Sequence, residues 1–140
     1  MTKYLFTVLF LFGLNLSFSQ SILGKWKTID DESGKEKSIV EIYENDGKIY
    51  GKIIKLIHPK QNNPLCTRCK GSKKDKPIIG MVIIDGLEKN NDLYEGGTIL
   101  NPNNGKEYKC RLKLEDGNET IQVRGYVGLF YKTQYWKRVR

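Results

Sequence analysis

The sequence predicts an all-β protein, folded as a single up-and-down antiparallel β-barrel of about eight strands. Three observations predict it. Short apolar segments with alternating patterning recur between turn signals placed roughly every 8–15 residues, the spacing of all-β folds. No stretch carries a sustained helical period. Nearly all connections are short enough to be hairpins, with no long crossover of Greek-key type. Such a sheet must hide its edges, and closing it into a barrel removes both at once. A two-sheet sandwich is the alternative architecture.

The elements follow in order. The first strand, 24–30, opens on Gly24-Lys25-Trp26: the glycine allows a sharp bend at the barrel's end, and the tryptophan plugs that end. A turn around Gly34 leads to a second strand, 38–44. Asp46-Gly47 then makes a tight hairpin into the third, 49–57, because both residues tolerate the positive φ of a primed turn. A long loop, 58–76, precedes the fourth strand, 77–84. Asp85-Gly86 and Asn90-Asn91-Asp92 frame an irregular link to the fifth, 93–100. Strand six, 107–114, alternates most clearly: Tyr108, Cys110, Leu112 and Leu114 face one side, and Lys109, Arg111 and Lys113 the other. Strand seven, 120–126, points Ile121 and Val123 inward, and strand eight spans 131–139. Tyr50, Tyr94, Tyr108, Tyr126, Tyr131 and Tyr135 are candidates either to fill a narrow interior or to mark an outer interface.

Residues 1–19 read as a signal peptide, not as part of the fold. Lys3 supplies the positive n-region, Tyr4 to Leu14 is almost unbroken apolar sequence, and Ser17-Phe18-Ser19 offers small residues for cleavage. The apolar run is shorter than the ~20 residues of a membrane-spanning helix. An exported protein, periplasmic or extracellular, with one domain over 20–140 is therefore expected. The first cysteine of that domain is Cys66, so no lipid-acceptor cysteine stands at the new N-terminus.

The whole chain has a net charge of +8; without Lys3, 23 basic and 16 acidic residues leave +7. Outside the cytoplasm such a protein meets anionic envelope surfaces before it meets nucleic acid. Its lysines and arginines also alternate along strands, as a solvated outer face does, so nucleic acid is not expected as a partner.

Cys66-Thr67-Arg68-Cys69 is the sharpest local feature. In an oxidising compartment this spacing closes a small disulfide that pins the long loop. The competing interpretation is a thioredoxin-like redox pair, which needs a helix N-terminus in a βαβ unit that the sequence does not offer. Cys110 shares parity with Leu112 and is expected inside, as a free thiol. His58, the only histidine, Cys66 and Cys69 supply at most three ligands where structural zinc needs four. No metal, cofactor or catalytic residue is assigned. Arg68, Lys70, Lys73, Lys74 and Lys76 face only Asp75 within their segment. Loops after odd-numbered strands share one end of an up-and-down barrel, which puts this basic stretch at the mouth opposite the Gly24–Trp26 plug. It is either a collar for an anionic headgroup or a solvated loop.

Gly24-Lys25-Trp26 with the late Trp136-Lys137-Arg138 resembles the calycin group of lipocalins, avidins and fatty-acid-binding proteins. That resemblance implies that Arg138 packs across Trp26. The ordered motifs of the mature chain also resemble an exported bacterial family known as domain of unknown function 2147. They include Ile39-Val40-Glu41-Ile42-Tyr43, Cys66-Thr67-Arg68-Cys69-Lys70-Gly71, Pro77-Ile78-Ile79-Gly80-Met81, Gly96-Gly97-Thr98-Ile99-Leu100-Asn101-Pro102, Arg124-Gly125-Tyr126 and Gln134-Tyr135-Trp136-Lys137-Arg138-Val139. The function expected from all of this is non-enzymatic binding of a small anionic amphiphile or lipid fragment, or of an anionic envelope surface. Two alternatives stand beside it: an envelope redox protein acting through Cys66 and Cys69, and a filled barrel that serves as a protein-interaction module.

Overall fold

The computed structural model describes residues 21–140; the expected leader, 1–19, lies outside them. Eight strands form the barrel: β1 (Gly24–Ile29), β2 (Glu36–Asn45), β3 (Lys48–Leu56), β4 (Val82–Asn90), β5 (Leu93–Asn101), β6 (Lys106–Glu115), β7 (Thr120–Val127) and β8 (Phe130–Arg138). Each pairs antiparallel with the next, and β8 returns to β1, so the sheet closes in strand order 1 to 8. The closing seam is short. Trp26 faces Arg138 and Lys27 faces Lys137, after which β8 leaves β1 and Gln134 donates instead to Asp31 Oδ2 at 2.8 Å.

Alternation along each strand decides what lies inside. Ser38, Val40 and Ile42 of β2, Cys110 and Leu112 of β6, Ile121 and Val123 of β7 and Trp136 of β8 are all buried. Thr28 and Ser38, the buried hydroxyls of β1 and β2, satisfy one another at 2.6 Å, which avoids the cost of an unpaired buried polar group. Aliphatic side chains and two tryptophans fill the interior. The tyrosines do not: Tyr131 and Tyr135 are exposed, and Tyr94 packs only at the margin of the core. The first turn is set by Asp30, whose carboxylate accepts the backbone N–H groups of Glu32 and Ser33 at 2.9 Å each. Those N–H groups hold its pKa below the usual carboxylate value.

The fourth strand corrects the sequence expectation. It runs Val82–Asn90, not 77–84, and Asp85-Gly86 lies inside it. The two residues have the composition of a turn but form a kink. Gly86 and Gly96 both adopt left-handed backbone (φ 72° and 89°), and any Cβ on Gly97 would collide with the Asp85 carbonyl. The register also shifts between β3 and β4, and between Tyr94 and Gly97 on β5. Bulges and glycines at these points bend the sheet tightly enough to close it.

Candidate functional site

The plug end is built from the first and last strands. Trp26 is fully buried, and its indole N–H donates to the Ile22 carbonyl at 2.8 Å. The Arg138 guanidinium lies 4.2 Å from the indole centroid. Its nitrogens donate to three backbone carbonyls: Asn118 at 2.6 Å, Leu23 at 3.0 Å and Ser21 at 2.6 Å. Partial burial lowers its pKa from the ordinary arginine value, without approaching neutrality. Gly24 has φ 126°, and a Cβ there would sit 3.0 Å from Arg138 Nη1, so the glycine makes room for the clasp. Charged hydrogen bonds of about 1.5–3 kcal/mol each, less the cost of desolvating the ion, make this a structural clasp. The arrangement is the one implied by the resemblance to calycins.

The other end is covered by the segment between β3 and β4. Cys66 and Cys69 are joined in a disulfide, and both belong to the main hydrophobic core, at 0% and 2% exposure. Met81 is buried with them and Ile78 packs alongside. The strand expected over 77–84 begins instead as a fold-back: Leu65 bridges Pro77, Cys66 N–H donates to the Lys76 carbonyl, and Ile78 N–H to that of Pro64. The turn between β5 and β6 clasps this segment from the side. Cys66 Sγ lies 3.6 Å from the Pro102 carbonyl oxygen and, being in a disulfide, has no proton to donate. Arg68 Nη1 donates to the Asn103 carbonyl at 3.4 Å, and Gly105 lies so close to the Arg68 carbonyl that no Cβ fits there.

The charged side of this lid faces outward. Arg68, Lys70, Lys74 and Lys76 are exposed. Lys73 departs from the expected collar: it is half-buried, and its ammonium donates to the Val82 carbonyl at 2.9 Å. The lid is therefore amphipathic, with the disulfide and Met81 on its inner side and four cations on its outer side. Two solvent-open depressions, of about 290 and 240 Å³, lie at the plug end, not at the lid. The first is lined by Ile22, Ile49 and Tyr94, the second by Asn118, Arg138 and Arg140.

Cys110 is buried and free, as parity predicts, and burial pushes its thiol up to about 12. His58 is exposed, just beyond β3. Among the described residues, no three potential ligands come together as a metal site, and no helix is long and apolar enough to cross a membrane. Sequence reasoning missed the hairpin tip between β7 and β8, where Val127, Leu129 and Phe130 are 57%, 96% and 82% exposed. The signal was present: an apolar Val-Gly-Leu-Phe occupies a turn that should be polar.

Comparison with known proteins agrees with this geometry. The chain is similar to the solved structure of protein HP1028 from the human pathogen Helicobacter pylori, which is described as belonging to the lipocalin family. The two share 24% identity and a TM-score of 0.75, over 86% of this chain and 84% of the other. At that identity the likeness establishes the lipocalin-like fold. No curated protein matches the chain. The family described as "Uncharacterized protein conserved in bacteria (DUF2147)" matches residues 24–138, which span the whole barrel from Gly24 to Arg138, and the chain belongs to that family.

Proposed function

We propose that this protein is an exported, non-enzymatic barrel that holds a small anionic amphiphile beneath the segment covering its mouth. The observation that carries this is the amphipathic lid. Its inner groups, Cys66–Cys69, Ile78 and Met81, occupy space continuous with the core. Its outer side carries four exposed cations against the one carboxylate of Asp75, beside Leu65 and Ile79. When the lid lifts, it vacates apolar volume for a tail and leaves Arg68, Lys70, Lys74 and Lys76 beside the headgroup. Eight-stranded barrels enclose room for one small ligand at most, and the kinship in fold with a lipocalin supports a binding role. The redox alternative draws less support. A thiolate must approach a disulfide sulfur directly, and both sulfurs sit in residues with almost no exposure.

The test is uptake of a neutral apolar dye and of a fatty-acid probe by oxidised protein and by the Cys66→Ser/Cys69→Ser variant, with native mass spectrometry of protein from its own host to detect a resident ligand. Freeing the lid is expected to speed uptake, with the anionic probe preferred. If neither form takes up a probe and no ligand co-purifies, the barrel is filled and the binding function fails. The packed interior would then favour an interaction module.

A further inference from the structure

The β7–β8 hairpin carries three layers of distinct chemistry. At its tip Val127, Leu129 and Phe130 project into solvent. Behind them Tyr126 and Tyr131 face each other across the hairpin, their centroids 5.6 Å apart. Behind the tyrosines stand two arginines, Arg124 of β7 and Arg111 of β6, directly opposite one another in the register. Like charges so placed repel and weaken a sheet. Aromatic and hydroxyl groups hold them there. Arg124 lies 4.7 Å over the Tyr131 ring and donates to Thr133 Oγ1 at 3.1 Å, and Arg111 lies 5.8 Å over Tyr126. Arg111 Nε is covered and has no hydrogen-bond partner among the described residues. Lys109 and Lys132, paired in register with Tyr126 and Gly125, add two more cations at the same level. The nearest carboxylate by register is Glu95 in the β5 bulge beside Arg111, and it accepts from Asn90 Nδ2 at 2.9 Å; Asp31 in the first turn is engaged by Gln134.

From these layers we infer that the β7–β8 hairpin docks the protein onto an anionic lipid bilayer, with Leu129 and Phe130 entering the acyl boundary and Arg111 and Arg124 meeting lipid phosphates. The order of layers matches the depth profile of a membrane interface: apolar, then aromatic, then cationic. The spacing matches as well. Arg124 is level with Thr133, three residues from Phe130, or ~10 Å at the rise of a strand. Interfacial elements bury to about 5–10 Å. A bilayer fits better than a protein partner because, among the described residues, neither arginine forms an ion pair, and the two are splayed at one depth, as a plane of phosphates requires. The hairpin leaves the barrel at the same end as the lid, so docking turns the lid toward the lipid. Docking needs no cavity and stands apart from the binding function proposed above.

The experiment is flotation with vesicles of equimolar phosphatidylglycerol and phosphatidylcholine, and with phosphatidylcholine alone, at low salt. The protein is expected to float with the anionic vesicles. Leu129→Ser/Phe130→Ser and Arg111→Gln/Arg124→Gln should each weaken that binding at least tenfold while circular dichroism and unfolding midpoint stay near the parent values. Phe130→Trp adds a direct reporter: Trp26 and Trp136 are buried, so blue-shifted emission quenched by acyl-brominated lipid comes from the tip. Absence of flotation, equal flotation of the variants, or emission from the Phe130→Trp reporter that brominated lipid leaves unquenched would overturn docking. So would a concentration-dependent dimer that Leu129→Ser/Phe130→Ser dissolves, because a second copy would then be the tip's occupant.

Discussion

At one end of the barrel Arg138 ties three carbonyls and an indole into a single clasp contributed by the first and last strands. At the other end a segment of some two dozen residues lies over the mouth, held by a disulfide, a short fold-back and the edge of the 101–106 turn. The plug joins parts of the chain more than a hundred residues apart, so releasing it opens the barrel seam. The lid joins mostly its own residues, so it can move while the strands stay paired. Local opening of this kind requires far less free energy than global unfolding. One end therefore secures the fold, and the other end is free to carry function.

The largest test of that contrast is Trp26→Ala, expected to cost about 3–5 kcal/mol in chemical denaturation because it empties a fully enclosed site. Arg138→Ala should cost less, and the double variant should be non-additive because the side chains touch. Strict additivity would mean that the plug is not one unit. At the mouth, Cys66→Ser/Cys69→Ser should cost only ~2 kcal/mol, the loop-closure value for so short a ring. A loss equal to that of Trp26→Ala would show the lid to be as much a part of the fold as the plug. Unfolded, unreduced protein should yield one titratable thiol, Cys110; three would remove the disulfide altogether.

Between the two ends, Cys110 offers a smaller effect with a definite sign. Its folded pKa lies near 12 against an ordinary 9.0, so the unfolded chain ionises first. Its stability contribution is complete well below pH 9 and is lost progressively as pH rises toward 12, by about 1.4 kcal/mol at pH 10. Cys110→Ala should remove this part of the alkaline destabilisation; identical profiles would place the thiol in contact with water. The smallest effect is expected at the collar. Replacing Lys70, Lys74 and Lys76 by Gln should change stability by no more than about 0.5 kcal/mol each, yet should flatten the salt dependence of anionic-probe uptake. Unchanged salt dependence would reduce the collar to a solvated surface.

Alternating segments made most of the barrel legible in the sequence. Strands β6 and β7 follow from Cys110, Leu112, Ile121 and Val123 alone, and Asp46-Gly47 marks its hairpin because local backbone preference and tertiary need coincide. They diverge at Asp85-Gly86, where turn-forming residues make a kink, and at 77–79, where an apolar run folds over the mouth instead of entering the sheet. Only the paths of neighbouring strands decide such cases. The collar was legible as charge. That Lys73 would turn to the Val82 carbonyl depends on how its own segment folds back, and Cys66 enters the core against the 101–105 turn, which is remote in sequence. Arg111 opposite Arg124 required the register itself.

Three cysteines in one chain raise the question of how oxidation finds the right pair. Cys66 and Cys69 are three residues apart, whereas Cys110 lies 41 residues beyond Cys69 (110 minus 69). Chain statistics alone favour the nearer encounter by roughly 50-fold, although a very short, stiff ring departs from that scaling. Barrel closure then buries Cys110 between β5 and β7, where Gly97 and Gly125 are its register partners, and removes the one thiol able to attack the finished bond. Correct pairing is thus selected first by proximity and afterwards by enclosure. Oxidative refolding of the reduced chain is therefore expected to reach the Cys66–Cys69 pairing without an isomerase.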